Sequence, residues 1–276
     1  MVNSYEAAQT MPDRSSRAVV EEELKVARGR RFQRIAQVLV GVIFLGFWEL
    51  ASGPLVDPFF VSEPSAVFVK LRDWIVRGEL FPHLGITLYA TVLGFIIGSV
   101  SGFATGFVFG RYERVGAIFD PYITAIYCLP KIALAPLFIM WFGIGIESKI
   151  AMAAVIVFFL VFLNTYSGVR DVNPIHIHGT RIMGAGEWQL LINVIAPSAA
   201  AWVLTGLKVS VPYALIGAVV GEFMSSNRGM GYMIAQSSAL FDTAGVFAGL
   251  VVLALVGGII NEGLKRLERH VLRWRN

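Results

Sequence analysis

Charge is scarce in this chain: Asp, Glu, Lys and Arg together make up 15% of its 276 residues, while 56% are hydrophobic. A soluble domain of that length has too little polar surface to keep such a composition in water, so the ordinary globular class is excluded. The remaining reading is an all-α integral membrane protein. Cysteine is almost absent, and Cys128 lies in a hydrophobic run, which leaves no intrachain disulfide framework and reads as packing within a span. There are four histidines. His176 and His178 stand two residues apart and do not share a helix face, so no metal centre is assigned. No G-x-x-x-x-G-K-[ST] phosphate loop, H-E-x-x-H or G-x-S-x-G motif occurs. The chain therefore reads as no enzyme, with no means of its own to hydrolyse ATP. Its first residues are polar, and no short apolar stretch with a cleavage site follows them, which argues against a cleaved signal peptide.

What is abundant is long apolar sequence. A helix crossing a bilayer takes about 20 such residues. Six stretches qualify: 35–51, 86–109, 115–142, 150–169, 197–220 and 244–260. The third is overlong and carries Pro121, Pro130 and Pro136, so it is expected to be kinked or broken. The organisation is then a basic segment 1–34, a spanning domain 35–262 and a basic tail 263–276. With the amino terminus inside, sixteen Lys and Arg residues fall on the inner side and five on the outer, namely Lys70, Arg72, Arg77, Lys149 and Arg228. Both termini are expected to be cytoplasmic.

The largest outer segment holds SEPSAVFVKLRDWIV, read as an amphipathic helix capped by Ser62, with Val67, Leu71, Trp74 and Ile75 on one face. It fits a helix on the bilayer surface and the contact for an external partner equally well. The tail puts Leu264, Leu267, Val271 and Trp274 on one stripe among basic residues, a pattern that membrane lipid headgroups hold at the inner surface. Nothing in the charge pattern points to nucleic acid.

Two long hydrophobic runs are separated by NPIHIHGTRIMGAGEWQLLINVIAP, residues 173–197. Asn173 is a good N-cap and Pro174 suits the first turn, where its missing N–H is not needed. Gly184 and Gly186 can end a short helix, and a second helix is expected over 187–195, leading to Pro197 at the mouth of the next span. A short helix held at the membrane face suits docking of a soluble partner. The stretch resembles the cytoplasmic loop of ABC-importer permeases, whose pattern opens Glu-Ala-Ala, has Gly four positions after the second Ala and closes Leu-Pro. Here the opening triplet falls on His178, Gly179 and Thr180, the glycine on Gly184, and the closing pair on Ala196 and Pro197. The glycine, the proline and their separation match; the acidic residue and the two alanines do not.

Two further stretches carry the resemblance. CLPKIALAPLFIMWFGIG, residues 128–145, is similar to the Pro-broken helix of permeases of the nitrate, sulfonate and taurine importers. Pro130 and Pro136 free backbone carbonyls at depth, and Lys131 beside them is a cation suited to an anionic solute. FMSSNRGMGYMI, residues 223–234, resembles the outer loop of the same group, where Arg228, Gly229 and Gly231 would lie at the outer gate or the binding-protein contact. Glu222, just before it, is a candidate for the translocation pathway together with Pro130, Lys131 and Pro136. Glu49, Lys208 and Glu262, the other charges near span ends, read as interfacial anchors or ion-pair partners. Gly94, Gly98, Gly102, Gly106 and Gly110 recur every four residues and form a groove for close helix packing.

The resemblance implies the type I ABC-importer permease fold with a cytoplasmic coupling helix, working as a homodimer in a bacterial inner membrane. It also implies an ATPase dimer on other chains, which would hold the ATP and Mg, and a periplasmic solute-binding protein. Ile175, His176, His178, Gly179, Thr180, Arg181, Met183, Gly184 and Pro197 would then couple ATPase motion to alternating access for a small anion of the nitrate, sulfonate, taurine or organic-acid class. This chain itself would bind no cofactor. The competing reading is an ion-gradient-driven secondary transporter, disfavoured by six spans and the docking loop.

Overall fold

The computed structural model describes residues 14–224 and 226–271, with side chains at 32–33, 35–224 and 226–266. The opening segment 1–13 and most of the tail stripe, from Leu267 to Trp274, lie outside what is described in that detail. Among the described residues the chain is helical, apart from one isolated bridge between Ser52 and Val56. It divides into two compact units, Met1–Ser65 and Ala66–Asn276.

The first unit contains α1 (Arg14–Ala51) and α2 (Pro58–Val61), and ends in the first residues of α3 (Pro64–Val76). Asp57 caps α2 by accepting from Phe59 N at 2.9 Å. Ser62, expected to cap α3, instead ends α2 with φ at +58°. The cap of α3 comes from Glu49, whose carboxylate accepts from Ser65 N at 3.0 Å and from Ser65 Oγ at 2.7 Å. A carboxylate at a helix N-terminus satisfies an orphan donor and suits the helix dipole, a better cap than a hydroxyl three residues upstream.

The second unit continues with α4 (Leu80–Arg111), α5 (Glu113–Cys128), a 3₁₀ turn (Lys131–Leu134), α6 (Ala135–Phe142) and α7 (Ile146–Arg170). Then follow α8 (Pro174–Ile182), α9 (Glu187–Leu190), a π turn (Leu191–Ile195), α10 (Ala196–Met224), α11 (Met230–Ala239) and α12 (Thr243–Val271). In α3, Val67 and Trp74 are buried, whereas Ile75 is 49% exposed and lies off the expected stripe.

The core of this unit is α7, packed between α4 and α10. Gly94, Gly98, Gly102, Gly106 and Gly110 all face α7. A Cβ on Gly98 would stand 2.4 Å from the Ala154 carbonyl oxygen, and one on Gly102 2.6 Å from that of Phe158. In lipid the hydrophobic effect does not press helices together, so this close backbone approach is what supplies dispersion contact.

Among the described residues four helices are long and apolar enough to cross a membrane: Leu80–Arg111, Ile146–Arg170, Glu187–Met224 and Thr243–Arg266. The pair Glu113–Cys128 and Lys131–Phe142 adds a fifth if its two halves, bent by 86°, form one span. The first of the six expected stretches, Ile35–Ala51, is the apolar part of α1 and ranks among the shorter apolar helices of the described residues. Of the three prolines in the broken segment, Pro121 sits inside α5 without stopping it, and Pro136 opens α6. The break falls at Leu129, where Pro130 excludes the helical conformation of the residue before it.

A correction concerns Pro197. It does not separate two helices: α9, the π turn and α10 form one helix, Glu187–Met224. Proline lacks an N–H and its ring crowds the carbonyl four residues back. The wider π turn lies immediately N-terminal to it and opens the ladder where the proline would clash.

Candidate functional site

At one end of α4 lies the 173–197 element. Asn173 Oδ1 accepts from Ile175 N at 2.9 Å and Pro174 occupies the first turn, so α8 starts with its orphan donors met. It ends in a paired closure: Ala185 N donates to Thr180 O at 3.2 Å and Gly184 N to Arg181 O at 3.0 Å. Gly184 sits at φ +84°, the left-handed conformation this closure requires. Gly186 then begins α9, its N–H donating to Gln189 Oε1 at 3.0 Å.

Ile177 anchors α8 against an apolar cluster of Val169, Val172, Leu190, Ile195 and Ala199. The rest of the helix is bare. Ile175 is 74% exposed, and Ile182 and Met183 each 87%. His176, His178, Gly179 and Arg181 are exposed too, Thr180 is half-buried with its hydroxyl on His176 O, and Pro197 is exposed. Trp188 extends the apolar surface onto α9.

Sequence reasoning missed the residues that fix this element. Glu187 forms ion pairs with Arg111, in the last turn of α4, and with Arg181 of α8 at 2.8 Å. One carboxylate thus ties both sides of the loop to the end of α4. Opposite charges flanking the loop were the available signal, but their pairing depends on the fold.

At the other end of α4, side chains from two helices capture three consecutive amides at the start of α11. Gly229 N donates to His83 Nδ1 at 2.9 Å, Met230 N to Thr87 Oγ1 at 2.8 Å, and Gly231 N to Glu222 Oε2 at 2.7 Å. Thr87 Oγ1 stands 2.8 and 3.0 Å from the two Glu222 oxygens. Glu222 is 1% exposed, so its carboxylate is packed in protein. Gly229 has φ +118°, and a Cβ there would meet the Glu222 carboxyl carbon at 2.3 Å. The spacing of His83 and Thr87, four residues apart at the head of an apolar helix, was the legible signal.

Lys149, read from sequence as an outer cation, is 3% exposed and donates to Ile144 O at 2.5 Å and Gly145 O at 2.8 Å. It closes the α6–α7 turn.

Beside this knot opens a cleft of about 450 Å³ lined by Lys70, Arg77, His83, Arg228, Tyr232 and Asp242, among others. His83 stacks on Tyr232 with ring centroids 5.9 Å apart. Lys70 Nζ pairs with Asp242 at 2.5 Å. Burial works to raise the Asp242 pKa, but the Lys70 hydrogen bond and the Gly245 N–H hold it below the ordinary carboxylate value.

Lys131 does not project freely from the broken segment. Its ammonium reaches back to Tyr127 O and lies over the Tyr127 and Phe159 rings, 4.2 and 5.2 Å from their centroids. The candidate pathway residues Pro130, Lys131 and Pro136 thus share the break, whereas Glu222 belongs to the α4–α10–α11 knot.

Residues 79–273 match the family described as "Binding-protein-dependent transport system inner membrane component". The chain is 32% identical to a "Putative aliphatic sulfonates transport permease protein SsuC" of Bacillus subtilis, covering 98% of this chain and 97% of the relative. It is 33% identical to a "Formylaminopyrimidine transport permease protein ThiX" of Halalkalibacterium halodurans, over 89% and 98%. A "Taurine transport system permease protein TauC" of Escherichia coli is 29% identical, over 85% and 87%. The solved MetNI methionine ABC transporter in inward-facing conformations shares the fold, with TM-score 0.56 and 20% identity over 67% of this chain and 93% of that one. A crystal structure of an amino acid ABC transporter does so at TM-score 0.57 and 17% identity, over 75% and 96%.

Proposed function

This chain belongs to the family of inner-membrane components of binding-protein-dependent transport systems, and on that premise we propose that it is the permease subunit of an ATP-driven importer. A small anionic solute, of the sulfonate or taurine class, would be delivered by an external binding protein and released into the cytoplasm by alternating access. The relatives' names support a sulfonate without requiring it, since a formylaminopyrimidine permease is equally similar. Selection among solutes then rests largely with the binding protein.

The observation that carries the reading is the bareness of α8. Ile175, Ile182 and Met183 form an apolar surface on a helix that is firmly capped at both ends and held by Ile177. An apolar patch on a rigid polar-rimmed element is how a membrane protein meets a soluble partner. The partner proposed is a cytoplasmic ATPase dimer, which would carry ATP and Mg. A second copy of this chain would complete the pathway, with both termini and the α8 loop on the cytoplasmic side of a bacterial inner membrane. In this arrangement the exposed Arg228 lies on the binding-protein side, whereas Gly229 and Gly231, expected at that contact, are buried against Glu222.

The test is co-purification of the tagged chain from its native membrane in mild detergent. A stoichiometric ATPase subunit is expected, and Ile182→Asp with Met183→Asp should release it while leaving the chain folded. Recovery of the chain alone, with uptake in vesicles that needs only an ion gradient, would overturn the reading.

A further inference from the structure

We propose that Glu222 is a positioning residue. Through Thr87 and the Gly231 amide it holds the first turn of α11, and with it one wall of the 450 Å³ cleft, against α4 and α10. The first amides of any helix lack partners within it. At the start of α11 three consecutive amides, those of Gly229, Met230 and Gly231, are met by His83 and Thr87 of α4 and Glu222 of α10. The Thr87 hydroxyl works in both directions, donating its single proton to the carboxylate while accepting from Met230 N. Glu222 is thereby connected to two of the three captured amides, directly to Gly231 and through Thr87 to Met230.

Sequence and packing around the carboxylate fit that role. Gly229 and Gly231 leave room for it, since Cβ atoms there would approach Glu222 to 2.3 and 2.8 Å. The residues of α11 that follow, Tyr232, Met233, Gln236 and Ser237, line the cleft, and Tyr232 stacks on the same His83 that caps Gly229. Releasing the anchor would therefore let the wall of the cleft move away from α4. That this cleft serves solute delivery rests on the function proposed above; the anchor does not.

Hydrogen exchange of the full-length chain in detergent, read by mass spectrometry, tests the proposal with Glu222→Ala, Glu222→Gln and Thr87→Val. Thr87→Val keeps the carboxylate, so it remains informative if Glu222→Ala fails to fold. In Thr87→Val and Glu222→Ala, amides 229–233 should exchange roughly tenfold faster while peptides of α4 and α7 stay as protected as before. Glu222→Gln, which keeps one acceptor oxygen in place, should restore part of that protection. Unchanged exchange at 229–233 in Thr87→Val, or a loss spread evenly over all helices, would overturn the proposal. A chain that shows the local effect but binds no ATPase would leave the anchor standing and sink the importer reading instead.

Discussion

Arg111, in the last turn of α4, and Glu187, in the first turn of α9, are joined by an ion pair although 76 positions separate them in the chain. Glu187 also reaches Arg181. The exposed α8 element is thus referenced to the end of a spanning helix, and through the α4–α7 seam to the core of the fold.

Replacing Glu187 by Gln should release that reference. All three side chains are at least partly exposed, so the loss of stability should stay within about 1 kcal/mol. Local effects should be larger than global ones: limited proteolysis near residues 183–188 accelerates while the melting temperature is nearly unchanged. A melting temperature reduced by many degrees would show that the pair supports the whole fold.

Gly184 has open space around it, so any effect of substitution comes from its backbone and not from a clash. Gly184→Ala should strain the closure of α8 by about 1 kcal/mol. Gly184→Pro should do more, because it also removes the N–H that donates to Arg181 O. In the assembled transporter, Gly184→Pro should leave ATP hydrolysis running while uptake falls, measured side by side in proteoliposomes. Equal uptake by wild type and variant would count against α8 as the coupling lever.

The α4–α7 seam predicts a graded series at Gly102. A Cβ there stands 2.6 Å from the Phe158 carbonyl oxygen, a backbone atom that cannot turn aside. Gly102→Ala should lower stability by about 1–3 kcal/mol through overpacking. Gly102→Leu should prevent assembly altogether. Both are checked by monodispersity in detergent and thermal unfolding; a stable, monodisperse Leu variant would refute the packing account.

Acid should weaken the link between α3 and the start of α12. Asp242 has its carboxyl held below the ordinary value of 3.8, so the Lys70 pair contributes fully above that pH. The contribution is lost as pH falls below 3.8 towards the folded-state value. Asp242→Asn should remove this part of the acid sensitivity and leave behaviour at neutral pH within about 1 kcal/mol of wild type. Thermal unfolding of both proteins between neutral pH and pH 3 reads the difference.

Much of the architecture was legible without coordinates, because lipid imposes simple rules. A spanning helix must be long, apolar and internally hydrogen-bonded, and such runs stand out against polar connections. Proline in the 115–142 stretch announced a break, and Leu129–Pro130 is where it falls. Asn173-Pro174 and Gly184 announced the two ends of α8, since capping and a left-handed turn are local requirements.

What the sequence could not determine were relations between distant parts. Pro197 looked like a boundary, but a π turn absorbs it and the helix runs on. Ser62 looked like a cap, but it ends α2, and the Glu49 carboxylate accepts from Ser65 instead. Lys131 read as a cation suited to an anionic solute, and the structure lays it over the aromatic faces of Tyr127 and Phe159. Glu222 looked like a pathway residue, and three helices enclose it. Local chemistry is written in neighbouring residues, so length, hydropathy, caps and breaks are read directly. Which carboxylate meets which amide depends on helices brought together from far along the chain, and only the tertiary structure decides that.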